Sequence, residues 1–552
     1  MENKNNWGEI GKGRRSGVLV PLFSVYSRNS AGIGNLEDLK LLTDWCEKTG
    51  NSILQLLPMN EVGDSFCPYE SVSSFALEPM YAAVKRDNSP SPQAPPFQNF
   101  GKGTRPPQRG GKSGGRVDYR VKEEKIKVLR EIFFESRNRD RNEVEKFREE
   151  NAWWLDDFGL FKVLKAHHEN KPWHEWPAAY QNRDAESIKL FCSEHKTEIG
   201  FQIWIQWLLY KQFKNARAYA SGKGILLMGD LPVLSSRDSA DVWAHPEFFK
   251  LDFAAGAPPD MFSRKGQRWG MPTYNWKRIA GDNYRYLKEK LRYAGEFYDI
   301  LRIDHVVGLF RIWSIPFQDP PENEGANGSF DPPDEREWEA HGRKILSVML
   351  ESTKMLLCGE DLGIIPAACP RTMEALAVPG IDVQRWAKDW NGTQDFLPPE
   401  DYRFLAVATL STHDTTNWNA WWEEESTREE KEKFWKRVGL NGPARESADP
   451  EVTGAALRFI LRTKSIFSIQ LIFDWLSLAG SSGKKEIVAS AGSGPAMTGS
   501  ILTGDQSRFR INKPGTVSDE NWSLLLPISL EELLNHEVCA KIRNLVSGSG
   551  RI

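Results

Sequence analysis

The stretch YDILRIDH, residues 298–305, is a short apolar run that ends in charged residues, and runs of this form decide the fold. Five others resemble it: GVLVPLF at 17–23, ILQLLP at 53–58, ILLMGDLP at 225–232, MLLCGED at 355–361 and FLAVATL at 404–410. Continuous apolar runs of this length are typical of buried parallel strands. Between the runs at 17–23 and 53–58, residues 36–48 place their apolar side chains on one helical face. Because strand and helix patterns alternate, the sequence predicts an α/β fold.

The length of 552 residues allows two or three domains, or one barrel with large insertions. Residues 60–223 carry helical patterns without an obvious strand, so we expect a mainly helical insertion at the C-terminal face of a barrel. Residues 233–297 are expected to form a second insertion that carries a substrate loop. The Pro- and Gly-rich stretch 88–115 and the Gly- and Ser-rich stretch 480–504 are predicted to be flexible loops.

The charge balance excludes some classes of partner. Lys and Arg number 72 and Asp and Glu 75, which gives a net charge of −3. Basic residues occur only in small groups, so no nucleic-acid partner is predicted. The longest apolar stretch, 466–478, is interrupted by Gln470 and Asp474 and is shorter than the roughly 20 residues of a membrane span. Because the N-terminal residues contain no apolar signal region, a cytoplasmic location is expected.

Cysteine and aromatic residues give weaker signals. The six cysteines contain no C-x-x-C pair, which predicts free thiols rather than disulfides or a zinc site. The 21 tryptophans either stack on sugars or bases, or fill a large core, and composition leaves both open. The segment 254–276, which contains Asp260, Gln267 and Arg268, is too polar for core and rich in Pro, Gly and aromatic rings. This composition favours a rigid ligand-binding loop over an ordinary surface loop.

Three carboxylates follow three different strand-like runs. Asp304 lies in LRIDH, Glu360 in LLCGED and Asp414 in LSTHD. In an α/β barrel the C-terminal ends of the strands build the active site. Capping of a following helix is the alternative for any one of these acids. All three together favour a catalytic cluster.

The neighbours of these acids suggest a division of roles. Arg302 lies on the same strand face as Asp304, and an adjacent guanidinium is expected to keep that carboxylate ionised. His305 and His413 adjoin Asp304 and Asp414. Glu360 follows an apolar run, which predicts a raised pKa and an acid/base role. Retaining glycosidases divide the work between two carboxylates in this way.

Several longer motifs accompany the three acids: LVPLFSVYSRNSAGIGN at 19–35, PYESVSSFALEP at 68–79, WHEWP at 173–177, GDLP at 229–232, DSADVW at 238–243, the loop at 256–276, RIDHVVGL at 302–309, GEDLG at 359–363, STHDT at 411–415 and NKPGT at 512–516. On these motifs the sequence resembles the 4-α-glucanotransferases of the amylomaltase or disproportionating-enzyme type, relatives of the α-amylases. The resemblance spans nearly the whole chain. It implies a single (β/α)8 TIM barrel over residues 1–552, with helical insertions at its mouth and no C-terminal β-sandwich.

The resemblance also implies residue roles. Asp304 would be the nucleophile, Glu360 the general acid/base and Asp414 the transition-state stabiliser. Substrate contacts are implied for a further set: Tyr69, Asp260, Gln267, Trp269, Arg302, His413 and Asn512. Two departures, Cys67 where many relatives have Ser and the leucines at 524–526 where many have Trp and Arg, predict local differences in substrate contact.

The resulting hypothesis is a 4-α-glucanotransferase that acts on α-1,4-glucans (maltodextrins) as donor and acceptor, without metal or organic cofactor. An α-amylase-like retaining hydrolase is the nearest alternative, because both reactions use the same three acids. A non-catalytic glucan-binding protein is the other alternative, and the presence of all three acids argues against it. Donor length, cyclisation and oligomeric state stay open.

Overall fold

A computed structural model gives the fold. It describes residues 5–8, 10–84, 115–260, 263–479, 501–502 and 505–551, together with the backbone of 486–488 and 496–498. The predicted flexible loop at 88–115 lies outside these ranges except for Gly115, as does most of the predicted loop at 480–504.

Eight parallel strands form the central sheet: β1 (Arg15–Leu19), β2 (Ile53–Gln55), β3 (Leu226–Leu231), β4 (Ile300–Ile303), β5 (Leu356–Gly359), β6 (Gly380–Val383), β7 (Ala406–Thr409) and β8 (Phe467–Leu471). Their order in the sheet is β5-β4-β3-β2-β1-β8-β7-β6. The two end strands meet through a backbone hydrogen bond from Gly359 N to Pro379 O of 2.8 Å, so the sheet closes into a barrel. The predicted (β/α)8 barrel is therefore confirmed.

Five of the eight strands lie within the predicted apolar runs, β1 overlaps its run at residues 17–19, and β6 and β8 match none of the six runs. β6 (Gly380–Val383) has the sequence GIDV, whose central Asp382 makes it too short and too polar for an apolar run. β8 (Phe467–Leu471) passes directly into the helix Ile472–Leu476. That continuity explains why residues 466–478 read as one long apolar stretch: two buried elements follow each other without a turn.

The helices cover the barrel and extend its mouth. Among the described residues between β2 and β3 are five α-helices, Val121–Ser136, Arg141–His167, Ala178–Gln181, Ala185–Glu194 and Lys196–Gly222, and two 3-10 turns, Pro79–Tyr81 and Trp173–Glu175. The remaining α-helices of the described residues are Asp38–Thr49, Ala240–Ala244, Trp276–Gly281, Arg285–Ala294, Glu335–Glu351, Ala368–Ala375, Trp418–Ala420, Arg428–Arg437, Pro450–Arg462, Ile472–Leu476, Leu530–Leu534 and Val538–Ser547. In the part of the chain that is described after β8, three of these helices, Ile472–Leu476, Leu530–Leu534 and Val538–Ser547, occur with one antiparallel strand pair, Glu486–Val488 and Ala496–Thr498, and no β-sandwich is present there.

A second, antiparallel sheet stands beside the barrel mouth. Its strands run in the order Ser329–Asp331, Ile312–Pro316, Phe253–Ala257, Gln267–Arg268. Gly256 permits the close approach of Phe253–Ala257 to Gln267–Arg268, because a Cβ at this position would lie 2.0 Å from the carbonyl oxygen of Gln267. The segment 254–276 therefore contains strands as well as loops, and the partner strand Ile312–Pro316 lies about 60 residues further along the chain, where sequence periodicity gives no sign of the pairing.

Other predictions can be compared directly with the structure. All six cysteines are free thiols, as predicted. Most of the tryptophans are buried, so they mainly fill the core; Trp386 and Trp390 are the ones with large exposed areas. Among the described residues, no helix has both the length and the apolar composition that crossing a membrane requires.

Candidate active site

The three predicted acids lie at one end of the barrel. Asp304 directly follows β4, Glu360 directly follows β5, and Asp414 lies in the loop after β7. None of them caps the helix that follows it in the chain, since the capping positions are occupied by His305, Ala367 and Asn417 respectively. The helix-capping alternative is therefore wrong for all three.

Arg302 connects the first two acids. Its Nη1 atom lies 3.0 Å from Oδ1 of Asp304, and its Nη2 atom lies 4.0 Å from Oε2 of Glu360. The strand register places Asp230 of β3 opposite Arg302 of β4, and both Asp230 oxygens lie 2.7 Å from Nη1. Arg302 is almost fully buried and shares its single charge among three carboxylates. This arrangement makes it the electrostatic centre of the site.

Glu360 is held by the backbone. Its Oε2 accepts a hydrogen bond from the N–H of His305 at 2.9 Å, and its Oε1 accepts one from the N–H of Leu362 at 3.1 Å. Burial is the largest influence on this carboxyl and raises its pKa, against the opposing charge of Arg302 and the two backbone donors. The raised pKa predicted for Glu360 is confirmed.

Asp304 differs from the prediction. Burial raises its pKa to about 7, although Arg302 acts in the opposite direction. The expectation that the adjacent guanidinium keeps Asp304 ionised is therefore wrong below about pH 7. The main physical reason is burial, and the negative charges of Asp230 and Glu360 add to it; Arg302 also lies closer to Asp230 than to Asp304.

Asp414 has a different environment. Its side chain is 45% exposed, against 24% for Asp304 and 13% for Glu360. Its Oδ2 lies 3.3 Å from Nε2 of His413, and its Oδ1 accepts a 2.7 Å hydrogen bond from Nδ2 of Asn512. Partial burial acts to raise the pKa of Asp414, but His413 and Asn512 outweigh it and lower the pKa to about 2. Asp414 is thus a fixed negative charge.

An aromatic wall joins the two groups of acids. The ring of Tyr69 stacks on His413 with centroids 5.2 Å apart and an interplanar angle of 17°. Its hydroxyl donates to Oδ2 of Asp230 at 2.8 Å. Trp522 packs behind both rings, at 5.8 Å from Tyr69 and 6.0 Å from His413. The predicted residues Tyr69 and His413 therefore do come together with the acids.

The antiparallel sheet brings a second set of predicted residues to the mouth. Trp269 lies edge-on against His305, with centroids 4.9 Å apart, and its indole N–H donates to Oε1 of Gln267 at 3.0 Å. Asp260 lies further out on the hairpin, where its Oδ1 accepts from the N–H of Ser263 at 2.7 Å. Gln267 and Trp269 thus border the acids through His305, while Asp260 lies in the connection between the paired strands Phe253–Ala257 and Gln267–Arg268.

The sequence analysis missed two residues of this site, Asp230 and Trp522. Asp230 is the acidic residue near the C-terminal end of the apolar run ILLMGDLP, and an acid at the end of such a run is the signal that would have identified it. Trp522 comes from the C-terminal segment that also supplies Asn512. Within the described ranges, no group of three or more His, Cys, Asp or Glu side chains is arranged to hold a metal ion.

Known proteins match the chain over most of its length. Residues 20–529 match the family model described as 4-alpha-glucanotransferase. A 4-alpha-glucanotransferase of Chlamydia pneumoniae is 34% identical over 539 residues, covering 96% of this chain and 95% of that protein. A 4-alpha-glucanotransferase of Thermus thermophilus is 30% identical over 480 residues, covering 84% and 91%.

A solved structure agrees with the fold. An amylomaltase from Streptococcus agalactiae, in complex with acarbose, superposes with a TM-score of 0.78 at 25% sequence identity. The superposition covers 98% of this chain and 99% of that chain. Because sequence and structure agree across nearly the full length, the chain belongs to the 4-alpha-glucanotransferase family.

Proposed function

We propose that the chain transfers α-1,4-glucan segments from one maltodextrin to another by a retaining double displacement, with Asp304, Glu360 and Asp414 as the catalytic residues. The observation that carries this proposal is the pair of carboxyls on either side of Arg302. One carboxyl lies 3.0 Å from the guanidinium and the other 4.0 Å from it. The closer contact favours the negative charge on Asp304 and the proton on Glu360. That is the protonation state in which a nucleophile and an acid act together.

In the first step, a carboxylate oxygen of Asp304 attacks the anomeric carbon of the donor sugar. Glu360 gives its proton to the glycosidic oxygen, and the bond between that oxygen and the anomeric carbon breaks. The shortened glucan leaves with a free 4-hydroxyl. The remaining segment is then joined to Asp304 as a β-linked ester.

In the second step, Glu360 acts as a base. It takes the proton from the 4-hydroxyl of an acceptor glucan, whose oxygen displaces Asp304 from the anomeric carbon. Two inversions give net retention, and Glu360 regains its proton. Because the new bond is the same in kind as the broken one, the total number of reducing ends stays constant.

Asp414 supports the charged transition state. The donor ring flattens and gains positive charge as either bond breaks, and a carboxylate with a pKa near 2 stays ionised throughout. Asn512 and His413 hold it from two sides. We assign to Asp414 the ring-hydroxyl contacts that become stronger as the transition state forms.

The surrounding residues fit a glucan chain. Tyr69 and His413 offer a flat apolar face for the sugar at the cleavage point, with Arg302 beneath the acids. Gln267, Trp269 and Asp260 extend along the mouth, as expected for a donor and acceptor groove.

Incubation of the purified protein with maltotriose alone tests the proposal. We expect glucose and a ladder of longer maltosaccharides, with reducing ends constant over time. Rising reducing ends without longer products would instead identify a hydrolase. Unchanged maltotriose together with measurable glucan binding would support the binding-protein alternative.

A further inference from the structure

We propose that Asp361 is a positioning residue for the general acid/base, because it closes the barrel next to Glu360. Seven of the eight junctions between neighbouring barrel strands are ladders of paired residues. The eighth, between β5 and β6, is not. It is this junction that carries Glu360 at its C-terminal end.

At this junction the carboxylate of Asp361 supplies a hydrogen-bond acceptor that a strand backbone supplies at the other junctions. Its Oδ1 accepts a hydrogen bond from the backbone N–H of Ile381 in β6 at 2.8 Å. Among the residues that the structure describes, one backbone hydrogen bond joins β5 to the β6 segment beside it, from the N–H of Gly359 to the carbonyl of Pro379. The side chain of Asp361 is 2% exposed. A buried carboxylate thus does here what backbone carbonyls do elsewhere in the barrel.

Arg403 locks this carboxylate in place. Its guanidinium binds both oxygens of Asp361, donates to the carbonyl of Ile381 at 2.8 Å, and donates through Nε to Asp382 at 2.8 Å. Arg403 lies just before β7, so the ion pair joins three successive strands. Burial raises the pKa of Asp361, and Arg403 opposes that effect.

Gly380 shows how tightly the junction is built. A Cβ at this position would lie 2.5 Å from Oδ2 of Asp361 and 2.6 Å from Nη1 of Arg403. Any side chain at position 380 therefore displaces the ion pair. Only glycine leaves room for the carboxylate to reach β6.

The peptide unit between Asp361 and Leu362 connects Asp361 to the proposed acid/base Glu360. The N–H of Leu362, which directly follows Asp361, donates to Oε1 of Glu360. Fixing Asp361 fixes this donor and hence one side of the Glu360 carboxylate. The inference rests on the proposed role of Glu360, since Asp361 acts only through that residue.

The test compares Asp361→Asn with Asp382→Asn. Both substitutions remove one carboxylate from Arg403, but only position 361 adjoins Glu360. For Asp361→Asn we expect kcat on maltotriose to fall by about 10- to 100-fold with little change in KM, because small displacements of a catalytic group have effects of this size.

We also expect the basic limb of the pH profile of Asp361→Asn to move to lower pH, since a loosened Glu360 gains water and burial is what raises its pKa. Asp382→Asn should keep kcat within about twofold.

A second substrate separates positioning from general damage. Fluoride leaves α-maltosyl fluoride without protonation, so the first burst of fluoride does not need the acid function of Glu360. We expect the burst to survive in Asp361→Asn while turnover of maltotriose falls. Gly380→Ala, which displaces the ion pair without removing an acid, should show the same pattern if Asp361→Asn does not fold.

Three outcomes are decisive. The inference is overturned if Asp361→Asn matches Asp382→Asn, or if burst and maltotriose turnover fall equally in the folded protein of both Asp361→Asn and Gly380→Ala. The proposed function itself is tested separately by Glu360→Gln. If that variant keeps wild-type transfer, the role of Glu360 fails, whatever the Asp361 variants do.

Discussion

Two clusters of charge share one barrel mouth, and their surroundings act on their carboxyls in opposite directions. In the first cluster, Asp304 and Glu360 lie deep on either side of Arg302, and burial raises the pKa of both. In the second, Asp414 is more exposed and has partners of its own, His413 and Asn512, which lower its pKa. The comparison indicates which carboxyls can carry a proton at working pH. The first cluster gains or loses a proton near neutral pH, while Asp414 in the second cluster keeps its negative charge.

The largest expected effect comes from breaking the first cluster. Asp304→Asn removes the proposed nucleophile, and we expect transfer from maltotriose to fall by roughly 10⁴-fold or more. Binding of maltodextrin should be largely kept, because the aromatic wall of Tyr69 and Trp522 is untouched. Product chromatography and calorimetric binding measure the two quantities. Transfer at the wild-type rate would show that Asp304 is not the nucleophile.

Breaking the second cluster should cost less. Asp414→Asn keeps the shape of the side chain and removes the fixed charge, so we expect kcat to fall by about 10²- to 10³-fold. The pKa of His413 should also fall, because the charge of Asp414 is what raises it against burial. Steady-state kinetics and the NMR titration of His413 provide the measurements. An unchanged kcat would remove Asp414 from the mechanism.

A smaller change to the same cluster is Asn512→Ala. It removes the 2.7 Å hydrogen bond to Oδ1 of Asp414 and leaves His413 in place. A hydrogen bond to a charged group contributes about 1.5–3 kcal/mol, so we expect a loss in kcat/KM of at most about 100-fold. Lys513→Ala, at a neighbouring exposed position, is the control. If both variants behave alike, Asn512 has no specific role.

The smallest expected effect is a change in pH dependence, produced by lowering the pKa of Asp304 in the first cluster toward the low pKa of Asp414 in the second. Activity requires ionised Asp304, whose pKa is about 7, so kcat/KM of the wild type should fall as pH drops below neutral. It also requires protonated Glu360, so kcat/KM should fall again as pH rises above the pKa of that group. Asp230→Asn removes a negative charge that raises the pKa of Asp304, and the acidic limb should move to lower pH.

Tyr69→Phe separates charge from hydrogen bonding in this test. It removes the hydroxyl donor to Asp230 but keeps the carboxylate beside Arg302. We expect its acidic limb to stay close to that of the wild type even if KM changes. An unmoved limb in Asp230→Asn would mean that Asp230 does not compete for Arg302.

Local patterns predicted the α/β fold and the three acids because each depends on short-range information, while the closed barrel was implied by the family resemblance. The strand before Asp304, ILRI, is buried over its full length and is apolar except for Arg302. β6 escaped this reasoning because its sequence, GIDV, is short and contains Asp382, and its contact with β5 uses the side chains of Asp361 and Arg403. The same limit applied to the antiparallel sheet beside the mouth.

The protonation states of the site's carboxyls were harder to predict than the identity of the residues that form the site. The proximity of Arg302 to Asp304 followed from strand alternation. The competing carboxylate of Asp230 did not, because it comes from the neighbouring strand β3 and depends on register. Trp522 was likewise missed, since it reaches Tyr69 from the far end of the chain.

Trapping the covalent intermediate tests the central claim most directly. Glu360→Gln lacks the base of the second step, so a maltosyl group from α-maltosyl fluoride should accumulate on the nucleophile. Trypsin releases residues 303–311, IDHVVGLFR, in which Asp304 is the only carboxylate side chain. The account predicts that mass spectrometry finds the maltosyl group on this peptide. A label on the peptide 404–428, which contains Asp414, or fluoride release without any labelled peptide, would contradict it.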